Sequence, residues 1–232
     1  EKRRRRKRGS LPPIAARVFI NERVCEGCGD CVEQSQCAAL LPVDTALGRK
    51  RRIDASACNA DLSCLDGFCP SFVTLEGARP RARPAPDLDL SNVPDPVLPP
   101  LHAAGEIVVT GIGGAGVITV GAILGMAAHL EGRGCSVLDN TGIARKGGAV
   151  STHVRLAEHP GRFDGSRIAD ARATLLIGGD LVVSAESATL SMLARGRTRV
   201  VLNADAVPTL NQRLDASAPF DPAPLRLALA QA

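Results

Sequence analysis

Ile107-Val108-Val109-Thr110-Gly111-Ile112-Gly113-Gly114-Ala115-Gly116 is the stretch on which the fold turns. An apolar, β-branched run that ends in glycines spaced G-x-G-x-x-G predicts a buried strand and a tight turn, with a helix opening directly behind it. That helix extends through about Leu130. Further strands are predicted at Cys135–Leu138, closed by Asp139, and at Ala149–Arg155, Ala173–Ile177 and Val200–Leu202, with a helix from about Leu181 to Ala194. Strands alternating with helices predict an α/β domain over 105–232: an open, Rossmann-like, mostly parallel sheet with helices on both faces. Pro208 onward reads as an irregular tail, which makes the domain short.

Gly111, Gly113 and Gly116 admit two readings. Glycines let a backbone approach a pyrophosphate at a helix N-terminus, and Asp139 lies ~20 residues on, where a ribose-binding acid belongs. The same glycines also permit a tight strand-to-helix turn and close packing of helix on sheet. A second loop, Ala144-Arg145-Lys146-Gly147-Gly148, sets basic residues beside two glycines just before a strand, as a loop that meets an anion or another protein surface would.

Upstream, seven of the chain's eight cysteines crowd into the first third: Cys25, Cys28, Cys31, Cys37, Cys58, Cys64 and Cys69, the last followed by Pro70. Two-residue gaps between Cys25, Cys28 and Cys31, with a distant Cys-Pro, follow the ferredoxin pattern, in which three thiolates come from one turn and the fourth from the other unit. Gly27 and Gly29 allow that turn to curl around a bulky inorganic core. One 4Fe-4S cluster is therefore expected on Cys25, Cys28, Cys31 and Cys69. A second, less regular set comprises Cys37, Cys58 and Cys64, with Asp61 standing where a middle cysteine belongs. A carboxylate is a harder ligand than a thiolate, so this second cluster is expected to be labile and able to drop to 3Fe-4S. Zinc is the competing reading, because short C-x2-C pairs also build tetrahedral sites. Disulfides rank third, since the opening residues carry no apolar signal stretch.

Strand-like Arg17–Asn21 and Phe72–Leu75 flank the cysteines, so 17–76 is expected to be a small ferredoxin-like module stabilised mainly by its metal. Prolines at 80, 84, 86, 94, 96, 99 and 100 mark 77–104 as a semi-rigid linker. The net charge of +4 is dominated by the basic arm within 1–16, Lys2 to Arg8, and the remainder is near neutral. No aromatics accompany that arm to stack on bases, so nucleic acid is not an expected partner. With five Phe and no Trp or Tyr, the core must be aliphatic. No apolar run is long enough to span a membrane, and a cytoplasmic protein is expected. His102, His129, His153 and His159 form no triad and read as surface or packing residues, and Cys135 reads as a buried, inert thiol.

Ile107–Gly121 together with Ala144–Arg155 resembles the gamma domain of the 2-oxoacid:ferredoxin oxidoreductases, and Val24–Glu76 resembles the iron-sulfur segment of their indolepyruvate branch in its long fused bacterial form. The resemblance implies oxidative decarboxylation of an aryl pyruvate, with acyl transfer to coenzyme A and electrons passed through the 4Fe-4S clusters to ferredoxin. It implies thiamine diphosphate and magnesium in domains of the same full-length chain, and a homo-oligomer. Gly111, Gly113, Gly116, Arg145, Gly147 and Gly148 match the gamma motifs as packing or interface residues, with anion binding a weaker alternative. No thiamine site is visible in these 232 residues, so the chain is expected to be an electron-relay and assembly fragment, inactive alone and without catalytic residues of its own. Two alternatives stand beside this reading: a nicotinamide- or flavin-dependent oxidoreductase carrying a ferredoxin module, and a zinc-binding nucleic-acid module.

Overall fold

The structure is a computed structural model that describes residues 5–6, 8–55, 57–78, 91–95, 97, 105–142, 148–161, 163–205, 207 and 220–232. The chain divides into two compact units, the first built on Glu1–Pro96 and the second on Val97–Val207 with Asp221–Ala232. Most of the proline-rich stretch lies outside the described residues. Among those described, no helix is long and apolar enough to cross a membrane.

In the first unit, β1 (Ala16–Ile20) pairs antiparallel with β4 (Phe72–Glu76), setting Ile20 opposite Phe72. This pair clasps both ends of the cysteine-rich segment. Between them lie α1 (Asp30–Ser35), the hairpin of β2 (Leu40–Thr45) and β3 (Gly48–Ile53), and one 3₁₀ turn at Ser63–Leu65. The hairpin turns on Ala46-Leu47, with Thr45 opposite Gly48, whose φ of +86° suits glycine. Only Ile20, Cys25, Val32 and Leu40 are buried in its apolar cluster, so the unit has little core of its own.

The second unit carries a five-stranded sheet in the order β6-β7-β5-β8-β9. Its strands are β5 (Gly105–Ile112), β6 (Gly134–Thr141), β7 (Ala149–Ala157), β8 (Leu175–Gly178) and β9 (Arg199–Leu202). β5 runs parallel to β8 and β8 to β9, while β7 opposes both β5 and β6, so four of the five strands point the same way. The sheet is mostly parallel, as the sequence predicts, with β7 the one reversed strand.

Helices cover both faces. Residues paired across strands share a face, so Val109 and Thr152 point to one side and Val108, His153 and Leu176 to the other. On the Thr152 side lies α2 (Val117–Leu130), which approaches so closely at Gly121 that an added Cβ would collide with the Thr152 methyl. On the Val108 side, Ile168, Ala173, Leu176, Leu181, Met192 and Leu193 complete an aliphatic core, with Leu229 packed into it. The helix expected over 181–194 is two short ones, α3 (Leu181–Ser184) and α4 (Ser187–Leu190), because Glu186 is extended at φ −64°, ψ 145° and restarts the helix. Asp180 caps α3 by accepting from the Val183 N–H at 2.9 Å. The expected irregular tail contains a helix instead, α5 (Ala223–Gln231), held by Leu229 in the core.

Gly121→Ala is therefore expected to destabilise the chain by about 1–3 kcal/mol, since Thr152 is fully buried and has no room to retreat. Adding Thr152→Ser, which removes the opposing methyl and keeps the hydroxyl, recovers most of the loss in chemical denaturation. A double variant no more stable than Gly121→Ala refutes this account of the contact.

Candidate functional site

The turn Cys25–Cys31 is shaped by the hairpin beneath it. Gly27 and Gly29 have φ of +79° and +87°, a region that side chains rarely enter. A Cβ on Gly27 would strike the Arg49 carbonyl of β3, and one on Gly29 would lie 2.9 Å from Nη2 of Arg51. Glycine is thus required here twice over, by conformation and by close approach.

The seven thiols fall into two sets. Cys31 lies within electrostatic reach of Cys25, Cys28 and Cys69; burial pushes its thiol up to about 11, Arg51 pulls it back, and the three other cysteines add to the rise. Cys64 likewise lies within reach of Cys37, Cys58 and Asp61; burial pushes it up to about 11, and Cys37, Cys58 and Asp61 add to the rise. Among the described residues, no three His, Cys, Asp or Glu side chains converge on a single-ion site.

Two thiols already accept or share hydrogen bonds: the Ala60 N–H donates to Cys58 Sγ at 3.3 Å, and Cys69 Sγ lies 3.0 Å from Ser71 Oγ. Asp61 is exposed, and its Oδ1 accepts from Ser63 Oγ at 3.1 Å and Ser63 N–H at 3.4 Å, which steadies the 3₁₀ turn. Its neighbours Ala60 and Leu62 hold φ of +53° and +64°, strained for residues with side chains. The basic arm touches this loop at one described point, where Arg6 Nη1 donates to the Asn59 carbonyl at 3.2 Å.

The donor chemistry suits an iron-sulfur group: soft thiols, Cys31 near Cys25, Cys28 and Cys69, and Cys64 near Cys37 and Cys58, with one buried cation beside the first set. All three guanidinium nitrogens of Arg51 are buried without a hydrogen-bond partner among the described residues.

The glycine loop of the second unit is a packing device. Gly114 and Gly116 take φ of +97° and +89°, and a Cβ on Gly111 would press on the Val117 side chain at 2.8 Å. The Gly113 N–H, one of the amides a pyrophosphate would need, already donates to the Gly148 carbonyl at 2.8 Å. Asp139 is not on a strand beside β5, because β7 lies between, and its Oδ1 accepts from Thr152 Oγ1 at 2.6 Å. Both features weigh against a dinucleotide. Arg145 and Gly147 lie outside the described residues. Cys135 is half-buried rather than buried, its thiol raised by desolvation.

A cavity of about 530 Å³ opens in the second unit beside Asp139, Ser151, His153, Arg167, Glu186 and Thr189. His153, read from the sequence as a surface or packing residue, is a packing residue: its buried ring accepts the Ile168 N–H on Nδ1 at 3.1 Å.

The second unit is thus an α/β domain of the glycine-turn class with one reversed strand. Its family is specific: residues 106–229 match the pyruvate ferredoxin/flavodoxin oxidoreductase family, and the chain belongs to it, with this unit as a gamma-type domain. It is 30% identical over 106 residues to indolepyruvate oxidoreductase subunit IorB of Methanothermobacter thermautotrophicus, covering 46% of this chain and 50% of that protein. It is 33% identical over 103 residues to the same subunit from Archaeoglobus fulgidus, covering 42% and 45%. The chain spans about half the length of the curated relatives it matches. Subunit PORC of pyruvate oxidoreductase from Thermotoga maritima aligns with a TM-score of 0.35 at 19% identity, over 43% of this chain and 49% of that one.

Burial, and secondarily the Arg167 charge, hold His153 below its ordinary value of 6.5. The unfolded chain therefore takes up this proton first, so the stability His153 contributes is present above pH 6.5 and is lost as pH falls through that value. Calorimetry between about pH 7.5 and 5.5 should show a steeper fall for the wild type than for His153→Asn, which keeps an acceptor for Ile168 but cannot titrate. Parallel profiles for the two proteins count against this role.

Proposed function

We propose that this chain is the electron-relay and assembly portion of a 2-oxoacid:ferredoxin oxidoreductase of the indolepyruvate type. Cys25, Cys28, Cys31 and Cys69 hold one 4Fe-4S cluster, and Cys37, Cys58 and Cys64, with Asp61 at the fourth position, hold a second. The observation that carries this reading is the division of the seven thiols into two electrostatic sets, beside a domain of the pyruvate ferredoxin/flavodoxin oxidoreductase family. When bound, the clusters carry single electrons, while thiamine diphosphate and magnesium in other domains of the full-length protein perform the carbon chemistry on the aryl pyruvate, with coenzyme A as acyl acceptor.

This chain's own residues have supporting tasks. Gly27 and Gly29 let the first thiol turn close over the hairpin, and Ser71 and the Ala60 N–H orient Cys69 and Cys58. Ile118, Ile123, Met126 and Leu130 stand exposed along one side of α2, an apolar stripe that supports the assembly role. Ferredoxin is the proposed electron acceptor, and the remaining domains and further copies of the chain are the proposed partners in a cytoplasmic enzyme.

Anaerobically purified chain should contain about eight irons and eight acid-labile sulfides, with visible absorbance that bleaches on reduction. Zinc without sulfide overturns the reading. Gly27→Ala is expected to lose most of the first cluster's iron, while Gly48→Ala, with nothing within 4 Å of its added methyl, keeps it. Equal iron in the two variants would sink the proposed role of the turn. Asp61→Cys should make the second cluster markedly more resistant to oxidative conversion to the 3Fe-4S form, read by electron paramagnetic resonance; unchanged lability removes Asp61 from that site.

A further inference from the structure

Arg51 poses a physical problem that the described residues do not solve. It is 1% exposed, and Nε, Nη1 and Nη2 are all buried with no hydrogen-bond partner among the described residues. Its neighbours on β3 are provided for: Arg49 meets the exposed Asp44 at 3.2 Å, and the exposed Arg52 meets Glu22 at 2.7 Å. Burying a cation with neither counter-charge nor acceptor costs several kcal/mol. A guanidinium has five N–H donors in one plane and does not escape the cost by losing its proton. Something anionic with several acceptor atoms must therefore face it.

Its position narrows what that partner is. Nη2 lies against Gly29, between Cys28 and Cys31, in the loop that contributes three thiols of the first set. Its charge is close enough to be felt at Cys31. Four thiolates with their iron-sulfide core are anionic in both oxidation states, and one electron entering without a proton adds one further negative charge.

We propose that Arg51 is the resident counter-cation of the first cluster, donating N–H hydrogen bonds to its sulfurs and favouring its reduced form. This rests on the assignment of Cys25, Cys28, Cys31 and Cys69 to a cluster. Arg51 acts as a positioning and tuning residue: hydrogen bonds and charge beside the sulfurs set the potential at which a one-electron donor reduces them. The hairpin that delivers it is inserted between Cys37 and Cys58, so the long gap in the cysteine pattern has a use.

The test is a dithionite titration of the reconstituted full chain, followed by electron paramagnetic resonance, with iron and sulfide counted in each variant. Arg51→Met should shift the reduction equilibrium of one cluster at least tenfold toward the oxidised form, about 59 mV for one electron, and leave the other cluster in place. Arg51→Lys, which keeps the charge but not the planar fork, should recover part of the shift. A wild type without iron and sulfide refutes the cluster assignment itself; a wild type with clusters and an unmoved potential in Arg51→Met refutes only the role of Arg51. If Arg51→Met fails to retain the first cluster, urea denaturation of the metal-free proteins decides. Removing an unpaired buried charge should make metal-free Arg51→Met more stable than the metal-free wild type, and an equal or lower midpoint overturns the proposal.

Discussion

The first unit is organised around sulfur. Cys25 is one of four buried members of its apolar cluster, and Cys31, Cys37 and Cys64 are packed against it, so thiols occupy places that aliphatic side chains fill elsewhere. Such an interior is small, and burial first, with the neighbouring thiols adding to the rise, holds Cys31 and Cys64 well above the ordinary thiol range. The β1–β4 clasp closes both ends of the segment that carries these groups, and the glycines of the turn let it lie on the hairpin. Binding a metal group releases thiol protons and so couples folding to occupancy, where an aliphatic core would need no such help.

Much of this was legible. The strands expected at Arg17–Asn21 and Phe72–Leu75 are near the observed Ala16–Ile20 and Phe72–Glu76. The apolar runs of the second unit marked its strands because parallel strands covered on both faces carry a continuous signal. Strand direction leaves no such mark: nothing in the β-branched residues of Ala149–Ala157 distinguishes a reversed strand from its neighbours, and the pairing of β7 with both β5 and β6 is fixed only in three dimensions.

The hairpin was hidden by composition. Gly48-Arg-Lys-Arg-Arg-Ile53 reads as a solvated basic run, yet alternation along β3 turns Arg51 inward while Arg52 faces outward. Charge normally predicts exposure well, so an exception of this kind arises where something other than sequence hydrophobicity stabilises the residue. Asp180 is the corresponding case in the second unit, 2% exposed and retained because it caps α3.

The two units resolve buried charge in opposite ways. In the second, Glu106 is 3% exposed and flanked by Arg155, 3.1 Å from Oε1, and Arg172, 3.5 Å from Oε2, the latter an ion contact without hydrogen-bond geometry. Arg155 is further tied to the Gly165 carbonyl at 2.5 Å and lies 5.6 Å from the centre of the Phe163 ring. The carboxylate is thus neutralised by its own chain, and it ties the start of β5 to β7 and to the segment before β8. Arg51 has no such counterpart among the described residues of the first unit. The second unit thus balances this buried charge with its own side chains, whereas the first leaves a complete guanidinium unpaired among the described residues, beside the turn that carries Cys28 and Cys31. The difference in charge balance therefore sets the first unit apart from the second, in residues outside the family match, which covers only residues 106–229.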